Sequence, residues 1–115
     1  NTLEATVVDP AAQTVAIEGR TFGIPALPPT ATAGQAISLT MRPEAVSLAT
    51  LGRDIQLDGR VAEVSFLGSV IRLKVDLGRN SVSLDTFNDQ RTPPPVHGAP
   101  VTVAIASSDV LVLGS

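Results

Sequence analysis

The sequence predicts an all-β domain built from several short strands. Segments rich in β-branched residues alternate with turn signals at short spacing, and no segment of ten or more residues shows helical periodicity. The length of 115 residues fits one domain. Together these three observations favour a small barrel or sandwich.

The first part of the chain contains an N-terminal hairpin followed by a proline-rich connection. Residues 14–18 alternate, with Val15 and Ile17 on one face, and Gly19 and Arg20 are expected to form a two-residue turn into residues 21–24. Residues 25–34 cannot form a central strand, because their prolines lack an N–H for a ladder. Residues 35–42 are the next predicted strand, and residues 49–54 a loop.

The strongest strand signal lies between residues 55 and 84. Apolar side chains occupy alternate positions from 71 to 77, and charged side chains occupy the positions between them. Gly68 and Ser69 interrupt the middle, which predicts a strand, a bend or bulge, and a second strand. Residues 78–80 then turn into a strand over 81–84. Residues 88–100 form a long loop, and strands follow over 101–105 and 110–113.

The composition argues against a nucleic-acid-binding protein. The net charge is −3, the eight basic residues are scattered, and there is no Tyr or Trp to stack on bases. The absence of cysteine excludes disulfides and thiolate metal sites but leaves the compartment open. An apolar fraction of 43% is high for a small domain, so part of its surface is expected to meet a partner. The chain also starts without Met on a strand-like segment, so we expect it to be part of something longer.

No pattern of catalytic or metal-binding residues stands out. The only lysine, Lys74, lies in mid-strand, so a phosphate-binding loop is missing and the chain alone should not hydrolyse nucleotides. The only histidine, His97, lacks nearby partner ligands and is best interpreted as a solvated loop residue. Three prolines at 93–95 favour a polyproline II segment, either a stiff loop, which we prefer, or a docking ligand. The carboxylates of Asp54, Asp58, Asp85 and Asp89 are dispersed along the chain and are best interpreted as solvated residues in turns.

Residues 42–44 predict a charged corner. Pro43 cannot donate to a ladder and suits the first position of a short helical turn. Glu44 would then lie in the first residues of that turn, where negative charge is favoured. Arg42 ends the preceding strand and is close enough to pair with a carboxylate across the corner. A structural corner is therefore favoured over direct ligand binding.

Five short patterns, in this order, carry a resemblance to a known family: Asn1-x-Leu3; Gly34-Gln35 leading to Met41-Arg42-Pro43-Glu44; Gly59-x-Val61-x-x-Val64-x-Phe66-Leu67-Gly68-Ser69; Gly98-x-x-Val101; and Asp109-Val110-Leu111. Together they resemble a TOBE (transport-associated OB) domain, the β-barrel at the C-terminus of ABC-importer ATP-binding subunits. The subgroup they resemble most serves iron(III), polyamine, glycerol-phosphate and sugar importers. The resemblance covers essentially the whole chain.

The resemblance implies an OB-like five-stranded barrel with an additional N-terminal hairpin and C-terminal strand. It implies one domain over residues 1–115, with two lobes: a side sheet of residues 1–28 plus 106–115, and a barrel of residues 35–105. In this interpretation the signature residues Arg42, Pro43, Glu44, Phe66, Leu67, Gly68 and Ser69 are structural. The fragment itself would need no cofactor, whereas an upstream cassette would bind ATP and Mg.

The implied role is a non-catalytic regulatory and dimerisation domain. Its partners would be a second copy of the ATPase subunit and, through the cassette, the transporter membrane subunits, at the cytoplasmic face of the inner membrane. The candidate interface comprises the apolar residues left over from the barrel: Val15, Ile17, Phe22, Ile24, Leu111 and Leu113. The alternative is a stand-alone module that binds a small ligand, an oxyanion or another solute. The molybdate-binding relatives carry a Ser-Ala-Arg-Asn-type entry and a compact repeated unit. Neither is apparent in this sequence, which argues against oxyanion storage.

Overall fold

Ten β-strands and two short 3-10 helices make up the fold in a computed structural model that describes residues 1–48, 53–87 and 93–113. The predicted loop residues 49–52 and 88–92, which include Asp89, lie outside the described residues. The strands are β1 Thr2–Asp9, β2 Thr14–Ile17, β3 Arg20–Gly23, β4 Ala36–Thr40, β5 Val46–Ser47, β6 Ile55–Leu67, β7 Val70–Asp76, β8 Ser81–Phe87, β9 Pro100–Ile105 and β10 Leu111–Leu113. The all-β prediction is confirmed.

The described strands form two five-stranded antiparallel sheets. The first has the order β10-β4-β1-β2-β3 and the second the order β5-β9-β6-β7-β8. Four strands of each sheet come from one half of the chain, and the fifth crosses over from the other half. The strand pairing places β4 beside β1 and β10, so residues 36–40 belong to the first sheet rather than to the sheet formed by the rest of residues 35–105. The boundary between the sheets along the chain falls at the 42–45 corner.

The two halves repeat one structural unit, which the sequence did not reveal. Val7 exchanges two main-chain hydrogen bonds with residues 34–35, at 2.8 and 2.9 Å, and Val61 exchanges two with residues 98–99, at 2.8 and 3.0 Å. The glycine in each of these two segments has a φ of +84° or +83°, a conformation that suits glycine. A register shift follows each valine in its strand pairing. The expectation that a repeated unit is missing was therefore wrong.

Alternation of apolar and polar side chains builds a core that runs through both sheets. In β7 the residues at 71, 73 and 75 are buried and those between them are exposed, as the pattern predicted. Leu3 and Leu39 in the first sheet and Leu57 and Val103 in the second belong to the same buried cluster. Within the described part of the chain, no helix is long and apolar enough to cross a membrane.

Two asparagine side chains join the first sheet to the second across β1 and β8. The Asn1 amide donates to the Ser83 carbonyl at 2.6 Å and accepts from the Ser83 N–H at 2.8 Å. The Asn80 amide accepts from the Glu4 N–H at 2.9 Å and donates to the Glu4 carbonyl at 3.3 Å. Each side-chain amide thus takes the place of a peptide group in a ladder. We call these contacts, together with that of Glu18 described below, the seam.

Replacing Asn80 with Ala tests the seam. Asn80 is 8% exposed, and among the described residues it is the one polar residue that is buried. Its loss leaves main-chain groups of Glu4 without these partners, so we expect the free energy of unfolding to fall by about 1–3 kcal/mol. Urea denaturation measures this change. Ser108→Ala, at an exposed position, is the control and should change it by less than about 0.5 kcal/mol. Equal effects of the two substitutions would contradict the role given to Asn80.

Candidate functional site

The first corner is built as the sequence predicted. Pro43 begins the 3-10 helix Pro43–Ala45, and the Ala45 N–H donates to the Arg42 carbonyl at 2.9 Å. Here the chain leaves β4 and enters β5, so this corner is the crossing point between the sheets. Arg42 and Glu44 are both exposed, and among the described residues neither belongs to an ion pair. The expected pairing of Arg42 with a carboxylate is therefore not found among the residues that the structure describes.

An open cleft of about 730 Å³ lies beside the first corner. Arg42 lines it together with the carboxylates of Glu44 and Asp109 and the side chains of Thr40 and Leu111. One cation among two carboxylates does not favour an anionic ligand. The cleft is therefore a poor oxyanion site.

The second corner repeats the first with different chemistry. The 3-10 helix Ser107–Asp109 leads from β9 into β10, as Pro43–Ala45 leads from β4 into β5. The Asp54 carboxylate accepts from the Ser107 hydroxyl at 2.6 Å and from its N–H at 2.8 Å. These two bonds lower the pKa of Asp54 below 3.8, the usual value of an aspartate. Pro43 is the first residue of its 3-10 helix, as Ser107 is of the second. Because proline has no N–H, the first corner does not need a carboxylate to accept from it.

Glu18 occupies an anion cradle in the seam. Its carboxylate accepts from the Arg79 N–H at 3.0 and 3.1 Å, from the Asn80 N–H at 3.1 Å and from the Asn80 side-chain amide at 2.9 Å. A Cβ at Gly78 would lie 2.6 Å from a Glu18 carboxylate oxygen, and the φ of +116° at this position favours glycine. Successive main-chain N–H groups of this kind bind anions in many proteins. In this protein the anion is an internal carboxylate.

The position of Glu18 corrects the predicted hairpin. Ile17 pairs with Arg20, so the two-residue turn is Glu18-Gly19 rather than Gly19-Arg20. Glu18 has a φ of +52°, which costs a residue with a side chain on the order of 1 kcal/mol. The four hydrogen bonds of its carboxylate offset that strain. The sequence carried no signal for this contact, because residues 18 and 79 are far apart along the chain.

The second signature segment forms the exposed end of a long hairpin. Gly68 and Ser69 make the turn between β6 and β7, whereas the register shift lies earlier, between Val61 and Glu63. The expected bend is therefore a hairpin turn. Phe66 is 64% exposed and Leu67 is 54% exposed, so neither is a core residue.

The candidate interface needs correction at three positions. Val15, Ile17 and Ile24 have no exposed surface, so they cannot contact a second chain. Phe22 is partly buried, and the Arg20 guanidinium lies 5.8 Å from the centre of its ring. Leu111 and Leu113 are exposed in the edge strand β10, where their role in an interface stays a prediction.

The remaining polar candidates have local partners or lie in solvent. Asp58 accepts from the Thr102 hydroxyl at 2.8 Å, and His97 is exposed. Asp85 pairs with Arg72 through two hydrogen bonds, at 2.8 and 3.1 Å, which lower the pKa of Asp85. Across residues 1–48, 53–87 and 93–113, no three His, Cys, Asp or Glu side chains are grouped to hold a metal ion.

The strands and their pairing define an all-β, OB-like protein. A profile of the TOBE domain family matches residues 39–113, well over half of the chain. The chain therefore belongs to the TOBE domain family. No curated protein sequence matches it.

Among solved structures, the fold is similar to that of the cytoplasmic molybdate-binding protein ModG, determined with molybdate bound. The TM-score is 0.73 at 15% sequence identity, and the similarity covers 97% of this chain and 94% of that one. At this identity the likeness shows a shared fold. It extends over both halves, including β1–β3, which precede the family match.

Glu18→Gln tests the anion cradle. The neutral amide keeps the size of the side chain but loses the charge-assisted hydrogen bonds, so the Arg79 and Asn80 amide protons should exchange at least tenfold faster. Hydrogen exchange followed by NMR measures this rate. Glu4→Gln is the control, because the Glu4 side chain bonds Ser38 rather than the cradle. Unchanged exchange in Glu18→Gln would contradict the role of the carboxylate.

Ser107→Ala tests the second corner through pH. Loss of the hydroxyl donor should raise the pKa of Asp54 toward 3.8, as measured by NMR titration of its carboxyl group. Because the folded-state pKa is lowered, this contact stabilises the protein above pH 3.8 and is lost as the pH falls through the folded value. The stability difference between wild type and Ser107→Ala should therefore shrink on acidification. A pKa that does not move would contradict this assignment.

Proposed function

We propose that the chain is the non-catalytic regulatory and dimerisation domain of an ABC-importer ATP-binding subunit. Membership of the TOBE domain family is the observation that carries this proposal. The cassette of the same polypeptide would bind ATP and Mg and would contact the transporter membrane subunits. This domain would then lie at the cytoplasmic face of the inner membrane. The iron(III), polyamine and sugar importers are the subgroup that we favour.

The surface of the domain supports a role in contacts between proteins. The clefts lined by described residues are open to solvent. The N–H cradle is filled by Glu18, so a free anion would have to displace a tethered carboxylate. Large apolar side chains are exposed instead: Leu67, at 54%, and Phe87, at 82%, lie in one row with Val70. Exposed apolar surface of this kind is typical of interaction sites.

The reading frame around the gene segment gives the decisive test. We expect a cassette of roughly 200 residues, about one domain in size, encoded upstream, with a phosphate-binding loop of the G-x-x-x-x-G-K-[ST] type. An expressed protein that contains both parts should hydrolyse ATP. Together with the transporter membrane subunits, it should support solute uptake in reconstituted vesicles. A reading frame without such a cassette would overturn the proposal.

The 115-residue chain alone should have no ATPase activity, because its one lysine lies in β7 rather than in a phosphate-binding loop. Phosphate release with Mg-ATP measures this activity. A contaminating ATPase would give the same turnover in wild-type and Lys74→Ala preparations. Turnover that is lost specifically in Lys74→Ala would contradict the expectation.

A second candidate function is a stand-alone module that binds a small anion. The similarity of fold to ModG and the anion cradle of the seam favour it. Isothermal titration with molybdate, sulfate and phosphate distinguishes the two candidates. The regulatory proposal expects no saturable binding at millimolar anion. Saturable binding that tightens in Glu18→Gln, where the cradle has lost its internal anion, would favour the second candidate.

A further inference from the structure

We infer that two copies of this chain associate through the outer face of β7 and β8. This β7–β8 face comprises Val70, Arg72, Lys74, Asp76, Ser81, Ser83, Asp85 and Phe87. The inference rests on the proposed dimerisation function and names the surface that performs it. It replaces an interface built on Val15, Ile17 and Ile24, which are buried.

The apolar end of this face is the first observation. Leu67 pairs with Val70, and Val70 pairs with Phe87, so these side chains form one row across three strands. Phe87 is 82% exposed and Leu67 is 54% exposed. Aromatic side chains, Phe among them, are enriched in the cores of protein interfaces relative to the rest of the surface.

The repeat within the chain provides an internal comparison. The equivalent strands of the first half, β2 and β3, have four residues each, whereas β7 and β8 have seven each. The row of Leu67, Val70 and Phe87 lies in the part of the second sheet that extends beyond the repeat. The first half forms the shared unit without such an extension. The exposed apolar row is therefore not needed to stabilise that unit.

The charges of the face suit a second copy of itself. Arg72 and Lys74 balance Asp76 and Asp85, so the face is neutral, while the chain as a whole carries a net charge of −3. Arg72 is half exposed, with 52% of its side chain accessible, although it pairs with Asp85. A neutral face with alternating signs avoids the repulsion that the rest of an acidic surface would cause. It also lacks the excess of cations that would favour an anionic lipid surface.

The strand register makes the face self-complementary. Val70 lies opposite Phe87, Arg72 opposite Asp85, Lys74 opposite Ser83 and Asp76 opposite Ser81. A two-fold axis along the strands, between β7 and β8, exchanges the members of every pair. Phe87 of one copy then meets Val70 of the other, and Arg72 of one copy meets Asp85 of the other. A symmetric contact of this kind closes into a dimer.

The size of the face predicts a weak dimer. Each of the two strands has seven residues, so the face measures roughly 23 Å by 10 Å. The contact is therefore smaller than the roughly 1,200 Å² at the low end of specific interfaces. A dimer of this size forms and dissociates readily. In the longer protein the cassettes would raise its effective concentration.

Sedimentation of the 115-residue chain over a range of concentrations is the first part of the experiment. We expect a monomer–dimer equilibrium that Phe87→Ser weakens at least tenfold. Val8→Ser is the matched control, because Val8 is 45% exposed in β1 of the other sheet and belongs to no proposed interface, so it should leave the equilibrium unchanged. A wild-type chain that stays monomeric at about 1 mM, where even interactions of about −4 kcal/mol would be detected, overturns the inference.

A charge exchange between copies is the second part. Arg72→Asp and Asp85→Arg should each weaken self-association at least tenfold, because like charges then face each other across the axis. An equimolar mixture of the two folded variants restores opposite charges between copies but not within either one. We therefore expect the mixed dimer to be at least tenfold tighter than either variant alone. A mixture that associates no better than its components overturns the inference.

These outcomes separate the surface from the function. A monomeric chain encoded with an upstream cassette would remove the β7–β8 face and leave the regulatory role intact. A dimer through this face, without a cassette in the reading frame, would keep the β7–β8 face as an interface and remove the regulatory role. Phe87-dependent co-sedimentation with vesicles of neutral and anionic phospholipid, without self-association, would assign the face to a membrane and overturn the inference.

Discussion

Each sheet of this protein is completed by a strand from the other half of the chain. β5 leaves the first half and pairs with β9, and β10 leaves the second half and pairs with β4. Neither half has all five strands of a sheet by itself, so the two halves depend on each other. Both 3-10 helices exist to turn the chain at these crossings, and the apolar core is continuous as a consequence.

The seam shows how polar groups can join two sheets without a large cost of burial. A buried amide is expensive unless its donors and acceptors are paired. Asn80 satisfies this condition, because its oxygen accepts from Glu4 while its amide donates to both Glu4 and Glu18. The strained backbone of Glu18 belongs to the same arrangement. The turn that holds Glu18 positions a carboxylate where three N–H groups converge.

The differences between the two halves carry more functional information than their shared framework. Repeated features, such as the turns at Gly34 and Gly98, serve the fold. The second half adds a longer hairpin with exposed Phe66 and Leu67 and a longer β8 that ends at the exposed Phe87. These additions expose apolar side chains, and the proposed contact between two copies rests on them.

The sequence by itself determined the local features of this protein. Alternation set the buried face of β7, and Pro43 set the start of a 3-10 helix. Tertiary structure decided which strands pair across the two halves, that the halves repeat one unit, that Glu18 rather than Arg20 lies in the hairpin turn, and that Val15 and Ile17 are buried. The physical reason is distance along the chain. Periodicity and turn chemistry act within a few residues, whereas contacts such as that between Asn1 and Ser83 join residues 82 positions apart and leave no local pattern.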